Sequence, residues 1–347
     1  MRVSDASEVD VCAPVGSRIP ESFRRRTPGT MHHIEIISRL EGDHIEHLEE
    51  LVAASAAADG HEPLGEHKFL RIRAGDDLAL AFLAYEGDRL VGYAHTLLYG
   101  SGPDRRLSCE LVVHPDFRQE GTGRTLLERV MKTATAGGAG RLDVWAYNDS
   151  GASRRLMGAL GLAPTRQLLH MHRHHGVPPH LPTPEGAAIR PFRPGEDDEA
   201  WLDLNNRIFA EHPENGRWTL EDLRSRVAQP WFEPSDFLVL DVDGAMGGCC
   251  WLKVEDRGED GSVGEIYVIG AAPEVQGRGL CRYLLAQGLE HLSRRGVNHV
   301  AVYVDQSNEK AVALYWAFEF HHHHVDVLYS VGLPAGPQAT SSASVTV

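Results

Sequence analysis

Two glycine-rich stretches decide the fold of this chain: Arg118-Gln119-Glu120-Gly121-Thr122-Gly123-Arg124 and Gln276-Gly277-Arg278-Gly279-Leu280-Cys281-Arg282. Each comes after an apolar strand pattern, at residues 111–113 or 266–269, and each opens an amphipathic helical pattern. Flanking residues recur at one constant spacing: Pro115, Gly121, Arg124, Leu126 and Leu127 correspond to Pro273, Gly279, Arg282, Leu284 and Leu285. The chain is therefore predicted to contain two copies of one domain.

The chemistry of such a stretch favours an anion. Glycines between a strand and a helix let the backbone approach a ligand, and the unpaired amides at the helix start attract a pyrophosphate. One such stretch alone more often does nothing but turn the chain. Because both copies have the same strand, proline, spacing and helix, the sequence favours two anion-binding sites.

The length of 347 residues fits two domains of about 150 residues each. We expect the first domain at 33–175 and the second at 188–332, joined by a Pro- and His-rich linker at 176–187. The polar ends, 1–32 and 333–347, are predicted to be disordered extensions.

Local patterns indicate a mixed α/β fold. Helices are predicted at 45–58, 124–136, 220–228 and 282–295, and strands at 78–85, 91–98 and 237–242.

Composition limits the partners and the compartment. A formal net charge of −15 argues against binding to nucleic acid or to an anionic membrane. Acidic clefts would suit an amine substrate, although a negative surface more often serves solubility alone. The five cysteines show neither zinc-site nor disulfide spacing, and no apolar run reaches the roughly 18 residues that span a bilayer. We expect a cytoplasmic monomer.

The loops resemble the Gln/Arg-x-x-Gly-x-Gly/Ala pyrophosphate loop of the GNAT acetyltransferase superfamily. The second half adds the strand at 300–304, Asn308, and a helix with Tyr315 that ends in Ala317-Phe318-Glu319-Phe320. The resemblance implies two tandem α/β domains, each a mixed central sheet flanked by helices. It also implies N-acetyl transfer from acetyl-CoA.

The same resemblance implies a set of residues that contact acetyl-CoA. In the second domain they are Ile269, Gly270, Ala271, Gln276, Gly277, Arg278, Gly279, Leu280, Cys281, Arg282, Asn308, Glu309, Lys310, Ala311, Val312 and Ala313. In the first domain they are Leu111, Val112, Val113, Gln119, Glu120, Gly121, Thr122, Gly123 and Arg124.

Amine acetylation needs a base for the ammonium proton and an acid for the leaving thiolate. By resemblance, Glu265 is the base, directly or through water, and Tyr315 is the acid. At the repeat spacing the first copy has Leu107, and its stretch 154–162 contains no tyrosine. We therefore expect that the first copy binds acetyl-CoA, or once did, without catalysing transfer. Glu110 could replace the base there, but its place in an apolar strand favours an outward-facing structural role.

A closer resemblance is to tandem GNAT enzymes of actinobacteria that acetylate the cysteinyl amine of Cys-GlcN-Ins, a small aminothiol glycoside. The segments that carry it are Asp59-Gly60 with PLGE at 63–66, FAEHPENGRWT at 209–219, PWFEP at 230–234 and GEIYVIG at 264–270. The resemblance implies a substrate site between the domains formed by Glu66, Glu214, Lys253, Glu265 and Tyr303. Without these segments, the two glutamates and the lysine would be ordinary surface charges.

Two positions depart from the family pattern: Cys281 stands in place of Gly or Ala, and Glu319 interrupts the usual Leu-Gly-Phe. The run His321–His324 invites a zinc site. Because side chains alternate along a strand, at most two of the four can converge. We expect no metal and a solvated strand end.

Two other functions remain open. The chain could be a GNAT enzyme that acetylates a peptide terminus, a polyamine or an aminoglycoside. It could also be an acyl-CoA-binding module without catalysis, although Glu265 and Tyr315 argue against that alternative.

Overall fold

The computed structural model describes residues 33–61, 63–65, 79–100, 105–174, 176, 178–212, 217–256 and 261–334. The predicted extension at 1–32 lies outside the described residues, as does most of the one at 333–347.

The described part of the chain contains twelve strands. They are β1 His33–Ile37, β2 Ala79–Glu86, β3 Arg89–Tyr99, β4 Arg106–Val113, β5 Arg141–Ala146, β6 Ala163–His174, β7 Ala187–Pro191, β8 Phe237–Val242, β9 Ala245–Asp256, β10 Ser262–Ala271, β11 His299–Asp305 and β12 His321–Gly332.

Seven α-helices lie among these strands in the described residues. They are α1 Asp43–Asp59, α2 Thr122–Ala136, α3 Gly151–Ala159, α4 Asp198–Ile208, α5 Leu220–Val227, α6 Leu280–Arg294 and α7 Glu309–Ala317. The predicted α/β class is confirmed, and the helices and strands expected from periodicity are present with ends shifted by a few residues. None of the helices in the described ranges has the length and apolar character that a bilayer crossing requires.

All twelve strands form one sheet in the order β1-β2-β3-β4-β5-β12-β6-β11-β10-β9-β8-β7. At its centre the two copies exchange their last strands: β12 of the second copy pairs with β5 of the first, and β6 of the first pairs with β11 of the second. The strands β6 and β12 also pair with each other. The proposed domain boundaries remain a prediction, and a cut in the linker would separate each half from one strand that completes its sheet.

Helices cover both faces of the sheet. In β9, Cys250 and Leu252 pack in a core with α6 and α7, whereas Cys249 and Trp251 pack in a core with α4 and α5. In the first copy, α2 and α3 pack on the face equivalent to that of α6 and α7, and α1 packs on the other. The two faces will be called the α6 face and the α4 face.

The two copies differ in one detail of their sheets. The pairing of β9 with β10 shifts by one residue between Ile266 and Val268, which is a β-bulge at Tyr267. The equivalent pairing of β3 with β4 runs without a shift. Glu265 therefore corresponds in space to Ser108. The sequence-based match to Leu107 was wrong because the bulge moves the register by one residue.

The predicted linker packs on the second copy. Leu181 lies against the core under α6, and the Thr183 hydroxyl lies 3.1 Å from the Tyr283 hydroxyl. The Glu185 carbonyl accepts a hydrogen bond of 2.9 Å from Arg278. This segment therefore positions one residue of the second glycine-rich loop.

Candidate active site

A gap opens between β10 and β11 in the second copy. Their parallel pairing runs from Val263–His299 to Ile266–Val302 and ends there, while β10 continues to Ala271 with β9 on its other side. Among the described residues, no strand pairs with the backbone groups of β10 beyond Ile266 that point away from β9. Such groups can bind the amide-bearing chain of a ligand.

The gap leads to the second glycine-rich loop. A short 3₁₀ turn, Pro273–Val275, is followed by Gly277 with φ 81° and Gly279 with φ 75°, and α6 begins at Leu280. A Cβ atom added to Gly277 or Gly279 would meet nothing within 4 Å. The backbone there is open to a ligand, and the helix start supplies the amides and the dipole that suit a pyrophosphate.

The first copy has the same arrangement. The pairing of β4 with β5 ends at Glu110–Trp145, and α2 follows Gly121, whose φ is 98°. Gln119 has a φ of 62°, the conformation that Gly277 adopts in the other loop. A side chain in this left-handed region is under strain, because the Cβ atom crowds the following carbonyl.

Each loop is tied back to its strand by its first residue. Arg118 donates from Nε to the Val113 carbonyl at 2.9 Å, and Gln276 donates to the Ala271 carbonyl at 3.4 Å. Arg118 also forms a bidentate pair with Asp59 at 2.6 and 2.8 Å. The first loop is therefore fixed to the end of α1, which follows from the Asp59-Gly60 element of the sequence.

Tyr315 lies on the α6 face of the second copy. Only 4% of it is exposed, and it packs against Phe320 with ring centres 5.6 Å apart. Burial raises the pKa of its hydroxyl well above the usual value, and the nearby thiols of Cys250 and Cys281 act in the same direction. Within the described residues the hydroxyl has no hydrogen-bond partner, and it stays protonated at neutral pH.

Asn308 begins α7. Its side-chain oxygen accepts a hydrogen bond of 3.2 Å from the Ala311 amide, which is an N-cap contact. In the first copy Ser150 caps α3 in the same way, and Met157 occupies the helix position of Tyr315. Met157 is buried and carries no transferable proton.

Three of the predicted substrate residues lie on the α4 face. Glu265 is directly opposite Lys253 on β9 and opposite Ala301 on β11, and Tyr303 follows two residues further along β11. Glu265 is half-buried, and Tyr303 is 43% exposed. Glu66 and Glu214 lie outside the described residues.

Lys253 is held by neighbouring groups. Its ammonium lies 2.8 Å from the Glu255 carboxylate and 5.2 Å from the centre of the Trp231 ring. Trp231 in turn packs against Tyr267, the bulge residue, whose hydroxyl accepts a hydrogen bond of 3.0 Å from Arg226. The PWFEP segment thus packs beside Glu265 and Lys253.

Glu110 points inward, contrary to the expectation of an outward-facing side chain. It is 1% exposed, and its carboxylate accepts hydrogen bonds from the Gly65 amide at 2.9 Å and from the Tyr147 hydroxyl at 2.6 Å. The α4 face of β4 is covered by the segment at 63–65, which the local pattern could not reveal. Glu110 therefore anchors the residue next to Glu66.

The histidine run also differs from expectation. A β-bulge between His322 and His324 interrupts the alternation of β12. His323 and His324 consequently converge on one side, next to His170 and His172 of β6. Only two histidines of the run converge, as expected. The neighbouring strands add further histidines, which the pattern along a single strand cannot show.

Comparisons with known proteins agree with this geometry. The model of the acetyltransferase (GNAT) family matches residues 45–162 and 199–320. A mycothiol acetyltransferase of Thermobispora bispora is 45% identical over 80% of this chain and 93% of its own length. One of Acidothermus cellulolyticus is 40% identical over 84% and 92%, respectively.

Solved structures show the same fold. A GCN5-related N-acetyltransferase from Sphaerobacter thermophilus superimposes with a TM-score of 0.60 and 26% identity, covering 87% of this chain and 97% of that one. A tandem GNAT protein from the clavulanic acid biosynthesis pathway gives a TM-score of 0.67 at 16% identity, with 88% and 100% coverage. Each copy has a gap beside its central strand followed by a glycine-rich loop, and the relatives align over most of their length. This chain therefore belongs to the GNAT family of acetyl-CoA-dependent acetyltransferases and, within it, to the mycothiol acetyltransferases.

Proposed function

We propose that this enzyme acts as a mycothiol synthase, transferring the acetyl group of acetyl-CoA to the cysteinyl amine of Cys-GlcN-Ins to give mycothiol and CoA. The second copy performs the transfer. The observation that supports this assignment is a difference between the copies. Glu265 lies one residue before the gap opens and Tyr315 is buried on the α6 face near Cys250, whereas the first copy has Ser108 and Met157 at these positions.

The two groups lie on opposite faces of the sheet. Glu265 faces the α4 side together with Lys253, and Tyr315 packs on the α6 side near Cys250. An amine that approaches from the α4 side and a thioester that lies in the gap would then have the base and the acid on opposite sides of the reacting carbon. This arrangement suits direct transfer without a covalent enzyme intermediate.

In the proposed reaction, Glu265 takes a proton from the cysteinyl ammonium, directly or through one water. The amine nitrogen forms a bond to the thioester carbon, and unpaired amides of β10 near Ile269 stabilise the negative oxygen. The carbon–sulfur bond breaks, and Tyr315 gives its proton to the departing thiolate. The nitrogen loses its second proton to water, and Tyr315 is reprotonated from water. Because burial raises the pKa of Tyr315, its hydroxyl remains protonated until the thiolate forms.

Substrate recognition rests on charge and hydrogen bonding. The carboxylates of Glu66 and Glu214 would hold the ammonium and accept sugar hydroxyls, while Lys253 and Tyr303 donate to sugar or inositol oxygens. Tyr303 is exposed enough to contact a ligand, and Lys253 reaches the same face.

The first copy binds acetyl-CoA at Gly121–Arg124 and along Leu111–Val113 without transferring acetyl. It contributes the segment anchored by Glu110, and with it Glu66, to the substrate cleft. One chain already pairs two copies through β6 and β12, so we expect a monomer.

An experiment separates this proposal from the alternatives. The protein is incubated with acetyl-CoA and with Cys-GlcN-Ins, a polyamine, an aminoglycoside or a peptide, and free CoA thiol and the mass gain of one acetyl group are measured. We expect the fastest acetylation with Cys-GlcN-Ins. Faster acetylation of another amine would assign a different specificity, and no CoA release with any amine would indicate a binding module.

A further inference from the structure

Six histidines from three strands meet on the α4 face at the centre of the sheet. His170, His172 and His174 alternate along β6 and therefore share one side. His299 of β11 is directly opposite His174, and His324 of β12 is directly opposite His170. The bulge in β12 adds His323, whose ring stacks on that of His172 at 4.0 Å.

The ring nitrogens of the cluster lie close together. His299 Nε2 is 2.9 Å from His172 Nδ1, His172 Nε2 is 3.3 Å from His170 Nε2, and His170 Nδ1 is 3.1 Å from His324. His323 Nδ1 is 2.8 Å from His324 Nδ1. Two imidazoles bound to one tetrahedral zinc ion have their nitrogens about 3.3 Å apart, since each zinc–nitrogen bond is about 2.0–2.1 Å. The observed spacings are close to that value.

Two triads in the cluster have their ligand atoms within 4.8 Å of one another: His170, His323 and His324, and His172, His174 and His299. The first has a buried carboxylate beside one of its histidines. The His324 side chain is 10% exposed and lies 3.6 Å from the carboxylate of Asp326, which is 3% exposed. A carboxylate behind a histidine ligand orients the ring and raises its basicity. Each triad contains one exposed histidine, His323 in the first and His174 in the second.

Hydrogen bonds do not satisfy every contact within the triad of His170, His323 and His324. A contact between two imidazole nitrogens needs one donor and one acceptor, so a chain of neutral rings can satisfy such contacts one after another. His324 Nδ1, however, lies 3.1 Å from His170 Nδ1 and 2.8 Å from His323 Nδ1, and it can pair with only one of them. A divalent cation can accept one lone pair from each of the three rings, and imidazole is a ligand that Zn²⁺, Ni²⁺ and Cu²⁺ favour.

We propose that the triad of His170, His323 and His324 binds a divalent transition-metal ion, for which Zn²⁺ serves as the probe. Because His170 belongs to β6 of the first copy and the other two to β12 of the second, the ion links the two copies at the exchanged strands. The ring of His170 also stacks on Tyr303 at 4.1 Å with an interplanar angle of 6°, so the ion lies beside a predicted substrate residue.

Titration of the metal-free full-length protein with Zn²⁺ tests this site. We expect one ion bound per chain by the triad, and we expect His170→Gln with His324→Gln to weaken binding at least about 100-fold. The matched control, His321→Gln with His322→Gln, removes two exposed histidines of the same run that belong to neither triad, and should change affinity by less than threefold. Equal weakening by both pairs would overturn the proposal, as would binding that depends on His172 and His299 instead.

A second measurement does not depend on variants. X-ray absorption at the zinc edge of the wild-type protein loaded with one equivalent of Zn²⁺ reports the number of imidazole ligands. We expect three. One imidazole or none would contradict the site even if the variants failed to fold.

Discussion

The two copies have the same backbone arrangement, but they differ at the two side chains that are proposed to transfer protons. Both have a gap beside a strand, a glycine loop and a capped helix, and their α2 and α6 helices have the same length. Glu265 and Tyr315 of the second copy correspond to Ser108 and Met157 of the first. Both copies thus keep the backbone geometry that suits an anion, and in the proposed mechanism two side chains decide which copy catalyses.

The largest effect is expected from removing either proton-transfer group. Replacement of Tyr315 by Phe or of Glu265 by Gln should lower kcat by about 10²–10⁴-fold, the usual contribution of general acid–base catalysis. The measurement is initial-rate turnover at saturating acetyl-CoA. The matched control is Met157→Leu in the first copy, a swap of similar volume that should leave kcat unchanged. A normal rate in Tyr315→Phe would remove its assigned role.

The second test blocks each glycine loop separately. Gly279→Asp places a carboxylate at the second loop, in a left-handed conformation that Asp tolerates, and should raise the KM for acetyl-CoA at least about tenfold by repelling the pyrophosphate. Gly121→Asp in the first loop should leave kcat and KM unchanged and reduce the number of acetyl-CoA molecules bound per chain. Loss of turnover in Gly121→Asp would assign catalysis to the first copy as well.

Glu110 provides a test of the first copy's contribution to the cleft. Replacing it by Ala leaves the Gly65 amide and the Tyr147 hydroxyl without their acceptor, which costs about 1–3 kcal/mol of folding stability. Because Gly65 precedes Glu66, we also expect a severalfold rise in the KM for the amine substrate with kcat retained at saturation. Denaturant unfolding and steady-state kinetics measure the two effects. A loss of kcat with unchanged KM would contradict a positioning role.

The smallest effect is expected at the turn after α3 and α7. Gly161 has a φ of 77°, and its counterpart Glu319 adopts 63°. Replacement of Glu319 by Gly should stabilise the protein by about 1 kcal/mol, and Gly161→Ala should destabilise it by a similar amount. Chemical denaturation measures the change in the free energy of unfolding for each variant. If both changes had the same sign, packing, such as the contact between Glu319 and Arg173, would outweigh the backbone strain.

The sequence predicted the features that depend on local pattern. Glycine spacing located both loops, and periodicity located the helices that follow them. Features that arise from contacts between distant strands could not be read in this way. The bulge at Tyr267, the inward position of Glu110 and the exchange of β6 with β12 all depend on which segments cover or pair with a strand.

The histidine cluster illustrates the same limit. Alternation along one strand gave the right number of converging histidines within His321–His324, but the bulge makes the adjacent pair His323 and His324 converge. Alternation also could not show that β6 and β11 lie beside β12 and supply His170, His172, His174 and His299. Those neighbours become adjacent only through the exchange of strands between the copies.

The central claim is that the second copy alone transfers acetyl. The most direct test is turnover of the double variant Glu265→Gln, Tyr315→Phe with Cys-GlcN-Ins and saturating acetyl-CoA, alongside calorimetric binding of acetyl-CoA to the same protein. We expect binding to persist and kcat to fall by at least about 10³-fold. Retention of more than a tenth of the wild-type rate would contradict the claim, because the intact first copy would then have to be catalytic.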